Sequence, residues 1–226
     1  LIDGPVDTST PELAGATIVD KSPCTVHSSP YSQSHGTAMA SLLVSKEYGV
    51  APDATLLTYQ TGFDDDGDDA VAECAVRNGH GIEENKSLIN RAISDGAQII
   101  SISTSDEDLD ESTKWAITRA DALGVIVVSP MGNDAKDETD AGLAKWSGVV
   151  GVGAIDTTGK VAPYSSWGQG TSIAAVGGPI VLRNYETGNK ASTEGTSVST
   201  PLIAGFLALA KQKWPNATSN QLLQLL

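Results

Sequence analysis

The stretch GTSVSTPLIAG, residues 195 to 205, runs directly into the apolar residues FLALA. It predicts a buried helix that begins after Gly195 and Thr196 and has an apolar body formed by Leu202, Ile203, Phe206, Leu207 and Leu209. Ser197 then lies in the first turn, beside unpaired backbone N–H groups and the positive end of the helix dipole. That position suits an attacking oxygen and a developing negative charge, although the stretch taken alone favours simple helix capping. Pro201 fits either reading, because its missing N–H costs little so early in a helix.

Composition sets the limits on fold and partners. The 226 residues are 40% hydrophobic, enough for a substantial core in one domain over residues 1–226, and no run approaches the roughly 20 apolar residues of a membrane span. The net charge of −14 argues against nucleic acid and for cationic ligands or substrates. The chain opens in LIDGPVD, the end of a strand, so we expect a processed or trimmed form whose leader is gone.

Short apolar runs alternate with helical patterns along the chain. The runs at 54–61, 97–104, 124–130 and 148–155 are rich in branched residues, as strands buried on both faces are. The segments 87–96 and 111–124 have helical periodicity, the second with an apolar face assigned to Trp115, Ile117, Ala120 and Leu123. This alternation predicts an α/β fold, with a mostly parallel central sheet and helices on both faces. An acidic stretch at about 63–82 is predicted to be a surface insertion.

A nucleophilic serine needs a base and a group that orients the base. Of the three histidines, His35 is the best candidate, since Ser34 can cap a helix there whose early residues are small. His27 and His80 lie in loop-like surroundings and are expected to be solvated. Asp3 follows an apolar strand end, which places its carboxylate at the carboxyl edge of the sheet, where α/β proteins collect catalytic groups.

Three motifs carry a resemblance to a known family. LIDGPVDTSTPEL, SHGTAMASLL and GTSVSTPLIAG resemble the aspartate, histidine and serine motifs of the subtilases, the subtilisin-like serine peptidases. Their order along the chain is that of subtilisin. The resemblance implies the subtilisin-like fold and acyl transfer, in which Ser197 attacks a peptide carbonyl, His35 moves the proton and Asp3 orients the imidazole. It also assigns Asn133 to the oxyanion hole, although a Gly-Asn pair after a strand usually marks only a turn.

The same resemblance supplies the expected partners. They are a peptide or protein substrate and the chain's own removed propeptide, with no nucleic acid and no membrane, and the protein is expected to be secreted or at the cell surface. The implied substrate-binding residues are Ser103, Thr104, Ser105, Asp106, Met131 and Gly132. Acids at 106–110 and 64–69 favour substrates with Lys or Arg near the scissile bond, unless these acids simply face water.

Departures from the family pattern limit this transfer. Asp3 is followed by Gly4 where the family usually has Ser or Thr. Glu12 matches an acidic residue that often binds structural calcium, but the second ligand loop is missing, so we expect no cofactor, no strong metal site and at most weak calcium binding. Cys24 and Cys74 either form one bridge or are two buried thiols.

Two other functions use the same fold. One is a catalytically silent binding module, but such relatives usually lose a catalytic residue, and here all four are present. The other is an acyl-transfer or macrocyclising peptidase, in which an amine resolves the acyl-enzyme and cleft elements exclude water. Apart from the acidic insertion no capping element is evident, so hydrolysis is expected.

Overall fold

A computed structural model describes residues 1–23, 26–27, 29–61, 71–72, 85–104, 110–140 and 142–226. The strands are β1 Ile2–Asp3, β2 Thr17–Asp20, β3 Val26–His27, β4 Thr55–Gln60, β5 Val71–Ala72, β6 Ile99–Ser101, β7 Ile126–Pro130, β8 Val149–Ile155, β9 Thr171–Val176, β10 Ile180–Arg183 and β11 Lys190–Thr193. The helices are α1 Pro30–Val44, α2 Asn85–Ser94, α3 Glu111–Ala122, α4 Thr196–Lys213 and α5 Ser219–Leu223.

The central sheet is parallel throughout. Strands β2, β4 and β1 pair in that order, and β6, β7, β8 and β9 form a second run. A parallel bridge between Ile2 and Ile102 joins the two runs, which places β1 in the middle. The predicted fold class is confirmed, and each of the four predicted strands is present. Because the strands are parallel, their carboxyl ends meet at one edge.

Helices cover both faces of this sheet, each over its own apolar cluster. Adjacent residues of β7 point to opposite sides, so Val128 belongs to the cluster with Met39 of α1 and Leu207 of α4. Val127 belongs to the cluster with Ile89 of α2 and Ile117 of α3. This two-sided burial explains why the strand sequences are apolar without alternation.

The predicted apolar face of α3 is partly wrong. Trp115 and Leu123 are 67% and 60% exposed, and the buried residues are Thr113, Ala116, Ile117 and Ala120. The reason is helical geometry, since residues two apart, such as Trp115 and Ile117, point to different sides. A similar difference occurs in α4, where Ile203 and Leu207 are buried while Phe206 and Leu209 are about two-fifths exposed.

Several predictions fall outside the described residues. They concern Cys24, Cys74, His80 and most of the acidic insertion. His27 is described only in its backbone, where it lies in the short strand β3 and pairs antiparallel with β5. Within the described ranges, no helix is both long enough and apolar enough to cross a membrane.

Candidate active site

Asp3 and His35 form a close pair at the carboxyl edge of the sheet. Asp3 ends the central strand β1 and is 1% exposed, and its Oδ1 lies 2.8 Å from Nδ1 of His35 on α1. The same Oδ1 accepts the backbone N–H of Gly4 at 2.7 Å. A carboxylate beside Nδ1 favours the tautomer with its proton on that nitrogen, which makes Nε2 the basic atom of the ring.

Two glycines allow α1 to approach β1 this closely. A Cβ added at Gly4 would collide with the carbonyl oxygen of Ser32, and one at Gly36 would collide with the carbonyl oxygen of Gly4. The departure at Gly4 from the family's Ser or Thr therefore has a packing cause, because the backbone and hydroxyl of Ser32 fill that space.

The predicted cap of α1 is wrong. The helix begins at Pro30, and its N-cap is Ser29, whose Oγ accepts the N–H of Ser32 at 3.2 Å. Ser34 lies inside the helix, where its Oγ accepts the N–H of Tyr185 at 3.1 Å. Ser34 therefore ties the turn that carries His35 to the segment that follows β10.

Ser197 lies in the first turn of α4, as predicted, and the helix starts without a side-chain cap. The N-cap is Gly195, with φ of 153°, which has no side chain that could accept an N–H of the first turn. A Ser or Asp at this position would accept an N–H from the first turn. With glycine there, the N–H of Ser197 is left uncapped and can donate to a bound oxyanion.

The side chain of Asn133 is oriented by Thr196. Its Oδ1 accepts both the backbone N–H of Thr196 at 2.8 Å and the Thr196 hydroxyl at 2.9 Å. The Nδ2 group is thereby turned away from Thr196 and toward Gly195. A Cβ built on Gly195 would lie 3.0 Å from Ser197 Oγ, 3.5 Å from Asn133 Nδ2 and 3.7 Å from Ser197 N. The candidate nucleophile and two candidate oxyanion donors therefore lie within 3.7 Å of one point.

Sequence reasoning did not assign a role to Thr196, although it directly precedes Ser197. Thr196 is fully buried, and its Oγ1 also accepts the N–H of Gly132 at 3.2 Å. The available signal was a hydroxyl next to the nucleophile, which the sequence reading used only to mark the helix start. The structure shows that this hydroxyl links the loop after β7 to the start of α4.

The predicted substrate-binding residues lie at the ends of β6 and β7. Ser103 and Thr104 are 5% and 7% exposed, and their hydroxyl oxygens have no hydrogen-bond partner within the described part of the chain. Gly132 has φ of 99°. Met131 is almost fully buried. A Cβ on Gly151 would lie 2.8 Å from its Sδ, so the Met131 side chain packs against β8. Ser105 and Asp106 lie outside the described residues.

The last residue of the acidic run has a structural role at the start of α3. Asp110 is the N-cap of α3, and its Oδ1 accepts the N–H of Thr113 at 2.9 Å. Its Oδ2 pairs with Lys86 Nζ, also at 2.9 Å. Hydrogen bonds from Ser112 and Lys86 hold the pKa of Asp110 well below its usual range. Asp110 therefore stabilises the start of α3 and its contact with Lys86.

Glu12, the candidate calcium ligand, is bound by a guanidinium. Arg183 at the end of β10 places Nε 2.7 Å from Glu12 Oε1, and its Nη1 donates to the Gly188 carbonyl at 2.8 Å. Across the described ranges, no group of three or more His, Cys, Asp or Glu residues is arranged to hold a metal ion.

The sequence model of the subtilase family matches residues 1–226. The chain belongs to the subtilase family. The thermostable alkaline protease of Halalkalibacterium halodurans is 32% identical to this chain over 196 residues, which are 84% of this chain and 50% of the relative. Subtilisin BL of Lederbergia lenta is 30% identical over 193 residues, or 83% of this chain and 66% of the relative.

Solved structures show the same subtilase fold. The self-cleaved protease domain of PatA superimposes with a TM-score of 0.78 at 26% identity, covering 100% of this chain and 84% of that one. A cold adapted subtilisin-like serine proteinase gives a TM-score of 0.76 at 23% identity, covering 100% and 78%. This subtilase chain spans about half the length of the thermostable alkaline protease.

Proposed function

We propose that this subtilase chain is a serine endopeptidase that hydrolyses peptide bonds. The observation that carries the proposal is the convergence of Ser197 Oγ, Ser197 N and Asn133 Nδ2 on one point beside Gly195. The paired Asp3 and His35 at the same sheet edge supply a base that is already oriented. A nucleophile, a base, an orienting carboxylate and oxyanion donors are the parts that acyl transfer requires.

The proposed steps follow from these contacts. Ser197 Oγ attacks the substrate carbonyl carbon while Nε2 of His35 takes the hydroxyl proton. Asn133 Nδ2 and the Ser197 N–H donate to the oxyanion of the tetrahedral intermediate. His35 then gives the proton to the leaving amine, the C–N bond breaks, and water hydrolyses the acyl-enzyme by the same route. Asp3 stabilises the imidazolium that forms in each half-reaction, and its burial strengthens that effect.

Active-site labelling tests the proposal directly. A fluorophosphonate should modify the wild type at Ser197, located by peptide mass analysis, and the wild type should cleave a peptide library. Ser197→Ala should lose labelling and about 10⁶-fold in kcat, as in subtilisin. The matched control is Ser199→Ala in the same helix, which removes a hydroxyl that donates to the carbonyl of Ala175 in β9 at 3.0 Å. Full activity in Ser197→Ala, or labelling at another serine, would refute the proposal.

Acyl transfer to an amine is the alternative outcome of the same intermediate. A PatG macrocyclase in complex with peptide shares the fold, with a TM-score of 0.76. At 20% sequence identity this similarity supports a common fold and not a common reaction. We therefore favour hydrolysis. Incubation with an ester substrate and increasing amounts of a peptide amine separates the two reactions, because a hydrolase yields mainly the free acid. A predominance of the amide product at low amine concentration would favour the transferase.

A preference for Lys or Arg near the scissile bond remains a proposal. It is supported by the net charge of −14 and by the acids at 106–108. These acids directly follow the candidate wall residues 103–105 in sequence but lie outside the described residues. A cleft lined by acids concentrates cationic substrates. Secretion or cell-surface location remains a prediction that fractionation of the producing cells would test. Binding of a removed propeptide also remains a prediction.

A further inference from the structure

The hydroxyl of Tyr164 connects two loops behind Ser197. It donates to the carbonyl oxygen of Gly177 at 2.8 Å and accepts the backbone N–H of Gly195 at 3.1 Å. The Gly195 N–H also points to the Gly177 carbonyl, at 2.8 Å. Tyr164 lies in the segment between β8 and β9, so these bonds join that segment and the loop after β9 to Gly195, the N-cap of α4.

Gly195 needs an external contact to fix its conformation. It has φ of 153°, it has no side chain, and it lies two residues before Ser197. A Cβ at Gly177 would lie 2.8 Å from the Tyr164 hydroxyl and 2.9 Å from the Gly195 carbonyl oxygen, so the three groups are in close packing. A tyrosine hydroxyl keeps its proton at neutral pH, and burial raises the pKa of Tyr164 further, so it remains a donor to Gly177.

We propose that Tyr164 is a positioning residue for Ser197. By holding the peptide N–H of Gly195 against Gly177, its hydroxyl sets the direction of the chain entering α4, and with it the direction of the Ser197 N–H and Oγ. Tyr164 acts through Gly195 and contacts none of the reacting atoms. The inference rests on the proposed peptidase function, because it assigns a role within that same site.

Tyr164→Phe tests the inference, since it removes the hydroxyl and keeps the ring. We expect kcat to fall about threefold to tenfold, the rate equivalent of one ordinary hydrogen bond, with KM unchanged. The rate of fluorophosphonate labelling at Ser197 should fall by the same factor. The control is Tyr48→Phe, at a residue that follows the C-terminal end of α1. It removes a hydroxyl that donates to Ser41 Oγ at 3.0 Å and should leave both rates unchanged.

A merely structural role predicts different results. If Tyr164→Phe lowers Tm but leaves kcat and the labelling rate at the wild-type values, the inference is overturned. A rise in KM at constant kcat also overturns it, because Tyr164 would then be a substrate contact. If Tyr164→Phe does not fold, 3-fluorotyrosine at position 164 keeps the packing and weakens the acceptor for the Gly195 N–H. Slower labelling of that protein supports the inference, and an unchanged rate overturns it.

The labelling reaction also separates this inference from the proposed function. If the wild type is labelled at Ser197 but cleaves no peptide, the peptidase proposal fails, and the labelling ratio between wild type and Tyr164→Phe still decides the role of Tyr164. If the wild type is not labelled at Ser197, both proposals fail.

Discussion

Thr196→Val should weaken the proposed oxyanion hole and leave Ser197, the proposed nucleophile, in place. The substitution keeps the shape of a fully buried side chain and the backbone N–H that donates to Asn133 Oδ1 at 2.8 Å. It removes the hydroxyl that donates to the same oxygen at 2.9 Å and accepts the Gly132 N–H at 3.2 Å. Asn133 is then held by one bond instead of two.

The magnitude follows from these contacts. One lost hydrogen bond costs about 1 kcal/mol, and a partly buried N–H left without an acceptor costs about 1–3 kcal/mol, so the free energy of unfolding should fall by roughly 2–4 kcal/mol. For kcat the upper limit is the complete loss of the Asn133 donor, roughly 10²–10³-fold. With one of two orienting bonds kept, we expect a loss of about tenfold, which corresponds to about 1.4 kcal/mol.

The assay is a double-mutant cycle on kcat and KM with a chromogenic peptide, together with urea unfolding. Asn133→Ala alone should lower kcat by roughly 10²–10³ with little change in KM. In that background Thr196→Val should have no further effect on kcat, because its action passes through Asn133. Thr196→Ser keeps the hydroxyl and serves as the matched control. A tenfold loss that persists in the Asn133→Ala background would refute this reasoning.

Three further predictions rest on separate contacts. A calcium chelator should leave Tm almost unchanged, because Arg183 already pairs with Glu12; a collapse of Tm would reveal a strong metal site. The wild type should cleave beside Lys or Arg at low and at high ionic strength, and neutralising residues 106–108 together should reduce this cleavage. The control Asp110→Asn should not alter it, because Asp110 caps α3. A preference for apolar residues in all three proteins would contradict the proposed substrate class. Gly36→Ala should greatly lower stability and activity together, since its Cβ would collide with the Gly4 carbonyl; normal activity would exclude the tight contact between α1 and β1.

Local patterns in the sequence were sufficient for much of the fold. Branched apolar runs predict strands such as β7 and β8, because a strand buried on both faces needs apolar residues at successive positions. Small residues followed by an apolar body predict the start of α4 near Ser197, which the structure confirms. The predicted buried face of α3 fails at Trp115, because Trp115 and Ile117 are two residues apart and point to different sides of the helix.

The sequence by itself determined which residues are available for chemistry and roughly where they lie. The aspartate, histidine and serine motifs name Asp3, His35 and Ser197, and strand ends place such groups at one edge of a parallel sheet. Only the tertiary structure decided how the surrounding atoms are held. The bonds from Thr196 to Asn133 and from Arg183 to Glu12 join residues 63 and 171 positions apart, and no local period encodes such pairs. The strength of a hydrogen bond changes with differences of tenths of an ångström in the donor–acceptor distance. That distance is set by the packing of whole elements against each other.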